Sequence, residues 1–163
     1  MGLVLVLAAC AHGPRPLVVF DNQPGGWESA AREQGRSYVV ERWGHAVHAE
    51  QLEIYEFRQP APAANAAAFN ALAEGPRGLP ALPGASASPR AVDDDPIGPA
   101  TGYWVAQRGH EGATELQAAV YVVPNGRRSF AVRLQSGEDE FGQLQAWLRD
   151  LITRNVRFPA PQN

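Results

Sequence analysis

The chain has 163 residues, a formal net charge of −3 and 45% hydrophobic residues, four of them tryptophan. That is enough apolar material for one core and points to one domain. The acidic balance argues against nucleic acid and against electrostatic adhesion to anionic lipid. All 14 basic residues are arginine, which together with the alanine richness reads as base-composition bias. With a single cysteine no disulfide can staple the fold, so the core must hold it.

The chain opens on an apolar run, Met1 to Ala9, that ends in Leu7-Ala8-Ala9-Cys10. It is far shorter than the roughly 20 residues that span a bilayer. The aliphatic residue, two small residues and cysteine resemble the lipobox of bacterial lipoproteins. The resemblance covers only this stretch. It implies that residues 1–9 are a signal peptide and that Cys10 is lipidated and becomes the mature N-terminus. No arginine precedes Cys10, so the basic start of that peptide is expected upstream. The alternative is a buried first strand over residues 2–9 with Cys10 as a core thiol; a lone thiol in an oxidising compartment favours lipidation. The implied location is the bacterial cell envelope, facing the periplasm. Ala11 after the cysteine favours the outer over the inner membrane in the enterobacterial sorting pattern. Residues 10–16 form a tether of roughly 20 Å when extended, so the domain is expected close to the bilayer.

A single globular domain is expected over residues 17–158, with a tail at 159–163. Leu17 to Phe20 is a short strand signal closed by the turn cluster Asp21 to Gly26. Trp27 to Gln34 reads as two helical turns stopped by Gly35. Tyr38 to Trp43 and Leu52 to Arg58 read as strands, the second buried on both faces or bulged. Ala63 to Glu74 has high helix propensity and stops at Gly75-Pro76. Residues 75–100 contain six prolines and read as a long flexible loop inside the domain.

Tyr103 to Gln107 is a further strand. Glu115 to Val123 and Arg127 to Gln135 flank Asn125-Gly126, a pair that favours a type I′ turn. That turn sets Tyr121 opposite Phe130 and Ala119 opposite Val132. Ser136 is expected to cap a helix whose first turn carries Glu138 and Asp139. Phe141, Leu144, Leu148, Leu151 and Ile152 then recur at helical spacing. The fold class is α+β: an antiparallel sheet of five to six strands with a long C-terminal amphipathic helix, an α/β/α sandwich being one arrangement of those layers. The final hairpin, helix and Val156-Arg157-Phe158 resemble PsbP/Mog1-type domains, over element order in the last 60 residues. That fold hosts binding and assembly more than catalysis, and fold alone does not give function.

Candidate chemistry is sparse. His45 and His48, with Glu50 following, are metal candidates, and His110 with Glu111 is a third source of donors. Imidazoles three apart share a face only on a helix, so a polar connecting loop is the competing reading. Asp93-Asp94-Asp95 lacks the ligand alternation of a calcium loop and reads as a solvated charge run. Ser86 fails the Gly-x-Ser-x-Gly elbow, and Arg127-Arg128 at a hairpin tip reads as solubilising. No catalytic motif and no cofactor motif emerges. Trp27, Trp43, Tyr103 and Trp104 are core candidates first. Trp43, beside Gly44-His45 at a strand end, is the one expected to face a ligand or partner. The expected function is a membrane-anchored lipoprotein with a non-enzymatic domain that binds an envelope protein. The alternative is a periplasmic small-molecule or metal-binding protein using the His45/His48 region. If that alternative holds for a metal, purified protein contains bound metal, and His45→Ala with His48→Ala removes it; metal-free protein that takes none up in elemental analysis ends the metal reading.

Overall fold

A computed structural model describes residues 15–21, 25–48, 50–58, 79–85, 90–94, 97 and 102–161. Cys10 and the apolar run before it, the alanine-rich stretch Ala63 to Glu74 and Ser86 lie outside these. In chain order the elements are β1 (Val19–Phe20), β2 (Trp27–Gln34), β3 (Tyr38–His45), β4 (Gln51–Phe57), β5 (Arg90–Asp94), β6 (Tyr103–Glu111), β7 (Thr114–Asn125), β8 (Arg128–Ser136), α1 (Phe141–Asn155) and β9 (Val156–Arg157). Seven strands form one antiparallel sheet in the order β2-β3-β4-β8-β7-β6-β5, and β1 pairs with β9 in a small second sheet. The main sheet is therefore one strand wider than the sequence suggests. Among the described residues no helix is long and apolar enough to cross a membrane.

The period-2 alternation of the strands gives the sheet two distinct faces. One carries Leu52, Ile54, Trp104, Tyr121, Phe130 and Val132, and onto it α1 lays Leu144, Leu148 and Ile152, all buried. The other carries Val40, Tyr55, Val105, Val120 and Ala131. β4 is buried on both faces, as its sequence pattern requires: Leu52 and Ile54 on the helix side, Tyr55 and Phe57 on the other.

The second face contains a buried polar network. Glu53 of β4 stands directly opposite Arg133 of β8 in the register, and each is 4% exposed. Arg133 donates through Nε to Glu53 Oε2 at 2.6 Å and through Nη2 to Tyr55 Oη at 2.6 Å. Its Nη1 donates to the Pro80 carbonyl at 2.6 Å and to Gln107 Oε1 at 3.0 Å. Arg42 Nε and Tyr55 Oη complete the Glu53 carboxylate at 2.7 and 2.9 Å. Burial alone would raise the Glu53 carboxyl, but the Arg133 charge and the hydrogen bonds from Arg42, Arg133 and Tyr55 outweigh it and hold it below its ordinary value. Burial pushes the Tyr55 phenol up.

Residues 79–85 run across this face. Leu79 and Leu82 are buried against it, Pro80 accepts from Arg133, and His110 N–H donates to Pro83 O at 2.7 Å. The expectation of one long flexible loop over 75–100 is thus corrected at two places: residues 79–85 are bound to the sheet, and Arg90–Asp94 is an edge strand. Asp93 and Asp94 belong to that strand, so the acidic run is not a loop feature throughout.

Three further expectations are corrected. Trp27–Gln34 is a strand, not two helical turns. Eight residues give too few internal hydrogen bonds to offset helix nucleation, whereas the free edge of β3 offers partners along its length. The β7–β8 hairpin turns at Gly126-Arg127, with Asn125 opposite Arg128. Gly126 has φ +65°, and no other residue type takes a positive φ among the described residues, the pattern of a type II′ turn with glycine first. Tyr121 therefore faces Val132 and Val123 faces Phe130, two residues from the type I′ register, and both faces are preserved. Asn125 Nδ2 donates to Pro159 O at 2.8 Å, which holds the asparagine in the strand. Finally, Ser136 pairs with Gln117 in the sheet and cannot cap the helix. Glu140 is the N-cap, in a capping box with Gln143, and the first turn carries no acid.

Removing one partner of a buried ion pair leaves an uncompensated charge, at a cost of about 3–5 kcal/mol. Glu53→Gln is expected to lose about that much in denaturant unfolding, and the double variant Glu53→Gln/Arg133→Met less than the sum of the single ones. Because the folded carboxyl lies below its ordinary value of 4.5, its contribution is complete above that pH and is lost as pH falls through the folded value. Glu53→Gln should flatten the acid limb of the stability–pH curve.

Candidate functional site

Among the described residues two grooves stand out on the helix side of the sheet. The larger, about 670 Å³, lies between the end of β7, the end of α1 and the C-terminal tail, with Ile97, Val123, Ile152 and Phe158 in its wall. Its charged groups are already paired: Arg157 with Asp21 at 2.5 Å and Arg154 with Asp150 at 2.6 Å. It offers apolar surface without a convergent polar group.

The smaller groove, about 350 Å³, is built by two walls and a floor. One wall is the start of β2 and the end of β3. Trp27 stands opposite His45 in the register, and the two rings meet edge to face with centroids 5.2 Å apart. Gly26, at φ +85°, brings its backbone so close that a Cβ there would lie 2.5 Å from His45 Nε2. His45 Nδ1 accepts from the N–H groups of Val47 and His48 at 3.3 and 3.2 Å. His48 stacks at a tilt on His45, with centroids 4.8 Å apart. His45 is thus the pin of its turn. Its Nδ1 is used and its Nε2 faces Gly26.

The other wall is the flank of α1. Trp147 and Leu151, one turn apart, stand beside the buried stripe, with Asp150 and Asn155 along the same side. Trp147 is 49% exposed, and Val47, in the turn across the groove, is 81% exposed. Leu134 and Glu50 make the floor. Glu50 is 8% exposed, and its carboxylate oxygens are not among the buried side-chain atoms that lack a partner. A second carboxylate on this side of the sheet is also buried. Glu41 accepts from Leu17 N–H at 3.2 Å and pairs with Arg32 at 3.1 Å. Burial raises it, against the lowering effect of the Leu17 and Arg32 contacts.

The structure places the His45 and His48 rings side by side and keeps His110 away. His110 is on β6, four strand positions from β3, or roughly 19 Å at the usual strand spacing. Among the described residues no three His, Cys, Asp or Glu side chains are placed to hold a metal ion. Trp43, expected as the exposed aromatic, is partly covered. It points to the helix side, half-buried, with Phe20 of β1 packed on its ring at 5.1 Å, so β1 covers it. Trp104 and Tyr103 are core. Arg128 is an ion-pair partner of Glu56, and Arg127 is exposed in the turn. Trp147 escaped the sequence reading. Its signal was a tryptophan at the margin of the α1 stripe, three residues after Leu144 and one before Leu148.

No protein-family model matches the chain, and no curated protein does. Among solved structures the chain is similar to a protein of Bacteroides thetaiotaomicron VPI-5482, 13% identical, with a TM-score of 0.49, over 88% of this chain and 45% of that one. The chain spans less than half the length of that protein.

The two sides of α1 should separate in mutagenesis. Leu148→Ala removes a fully buried side chain and is expected to cost about 2–5 kcal/mol. Trp147→Ala, on the groove, is expected to stay within about 1 kcal/mol of wild type. Thermal or urea unfolding of both variants checks this.

Proposed function

We propose that this is a lipid-anchored protein of the bacterial cell envelope whose domain faces the periplasm, the outer membrane being favoured, and binds a partner protein close to the bilayer without catalysing a reaction. The observation that carries the partner reading is the half-exposed Trp147 on one wall of the small groove, with the exposed Val47 on the turn opposite. Tryptophan at the centre of a concave patch is the residue type that most often anchors a protein interface. The anchor rests on the lipobox ending at Cys10, and the nearness to the bilayer on the short tether.

The proposal includes an α/β/α layering of PsbP/Mog1 type. Supporting it, α1 covers one face of the sheet, while Val40, Tyr55, Tyr103, Val105 and Val120 on the other are almost wholly buried. A second reading, a small-molecule site around His45 and His48, draws on the two rings lying 4.8 Å apart at the mouth of the same groove. Its metal-binding form needs donors from outside the described residues.

Cross-linked affinity purification from native membranes, wild type against Cys10→Ser, tests the proposal. The expected outcome is one dominant envelope protein recovered with wild type and lost with Cys10→Ser, which should also leave the membrane fraction. If both forms are soluble and recover nothing, the anchored-partner reading fails.

A further inference from the structure

We propose that Asn125-Gly126 is a self-modification site gated by the C-terminal tail: Asn125 deamidates once the tail lets go of its side chain, and the acidic product cannot take the tail back. The site is independent of the lipid anchor and of the partner reading.

The pair carries the chemistry in its covalent structure. The backbone nitrogen of Gly126 and Cγ of Asn125 can close a ring, and glycine has no Cβ to obstruct the approach. The nitrogen gives up its proton to solvent and bonds to Cγ; the Cγ–Nδ2 bond breaks and Nδ2 leaves as ammonia. Water then opens the cyclic imide at either carbonyl. The products are aspartate and isoaspartate, with one water consumed, one ammonia released and no change of oxidation state.

The fold holds that reaction back at one point. Asn125 is 7% exposed, and its Nδ2 donates to Pro159 O at 2.8 Å, so the side chain is turned to the tail. Its backbone is fixed opposite Arg128 at the end of the β7–β8 ladder. Ring closure requires the amide to leave Pro159 and swing over Gly126. Pro159, Ala160 and Pro161 are exposed, and behind them Phe158 is half-buried, its ring 5.7 Å from that of Phe130. A side-chain amide and a ring contact at the margin of the core thus hold a chain end, and chain ends open locally far more often than a central sheet does.

The product reverses the contact. Nδ2 is a donor; the oxygen that replaces it is an acceptor facing the Pro159 carbonyl, itself an acceptor, and it brings a charge into a buried place. Isoaspartate also adds an atom to the backbone of β7, which shifts the pairing with β8 at that position. Modification therefore makes release of the tail permanent. Pro159, Ala160 and Pro161 line the larger groove together with Asn125, so the same event removes one wall of it.

The test ages the full-length protein in warm, mildly alkaline buffer, folded and in urea, and counts asparagine, aspartate and isoaspartate at position 125 by peptide mapping with mass spectrometry. Loss of Asn125 is expected about tenfold slower in the folded protein than in urea, and Phe158→Ala, which loosens the tail, is expected to speed it about fivefold under folding conditions. The far-ultraviolet circular dichroism of that variant should be unchanged. Asn125→Asp, standing for the product, is expected to free Ala160, read as loss of its backbone order in NMR relaxation, while the β7 and β8 amides stay protected from exchange. Equal loss in folded and urea-treated protein overturns the proposal, as does an Ala160 that is as ordered in Asn125→Asp as in wild type. An unchanged rate in a folded Phe158→Ala whose Ala160 is released overturns it too. Should Phe158→Ala fail to fold, the urea comparison and Asn125→Asp decide.

Discussion

The pairing of Glu53 with Arg133 is the constraint on which the far side of the sheet depends. The two residues face each other across β4 and β8, in the middle of a seven-stranded sheet. A one-residue slip of either strand would turn one charge onto the apolar helix face. The pair therefore fixes the register of the central strands as well as stabilising them. Its desolvation is offset because the guanidinium has four acceptor groups around it and the carboxylate three donor groups. One acceptor is the carbonyl of Pro80, so the network also holds residues 79–85 down. Register and covering layer are thus tied to a single side chain.

The helix side is organised differently. Its stability comes from apolar packing of Leu144, Leu148 and Ile152 onto Trp104, Tyr121, Phe130 and Val132. The polar groups there lie at the margin, where α1 and the β2–β3 end diverge and leave the groove. Glu50 and Glu53 are three residues apart and point to opposite sides of the sheet. The first lines an open groove; the second is enclosed by three side chains. Each face supplies a cation to a buried carboxylate, Arg32 to Glu41 on the helix side and Arg133 to Glu53 on the other.

The edge strand β2 is guarded against pairing with another copy. It carries Glu28, Arg32 and Glu33 and is bulged between Ser29 and Ala31. Charges and bulges discourage pairing with the edge of another copy. Arg32 also donates to the Arg15 carbonyl at 2.5 Å, and Glu41 accepts from Leu17. Residues Arg15 to Leu17 are thereby fastened to the β2–β3 side, the same side as the groove.

What the sequence by itself determined is what nearest-neighbour patterning can encode. The alternation in Tyr121 to Val123 and Phe130 to Leu134 dictates two buried faces, the 3.6-residue recurrence from Phe141 to Ile152 dictates the helix and its inner stripe, and β4 announces double burial. The His45–His48 pair was legible as a polar turn beside a strand end. What only the tertiary structure decided depends on partners far along the chain. Trp27–Gln34 is made of good helix formers, yet its hydrogen bonds come from β3. Asn125-Gly126 fits one turn locally, but Asn125 binds Pro159, 34 residues away, and the turn moves by one residue. Ser136 has the chemistry of a cap and is drawn into the sheet by Gln117. Glu53 shows the limit most plainly: its carboxylate is structural because folding brings Arg133, 80 residues along the chain, directly opposite it.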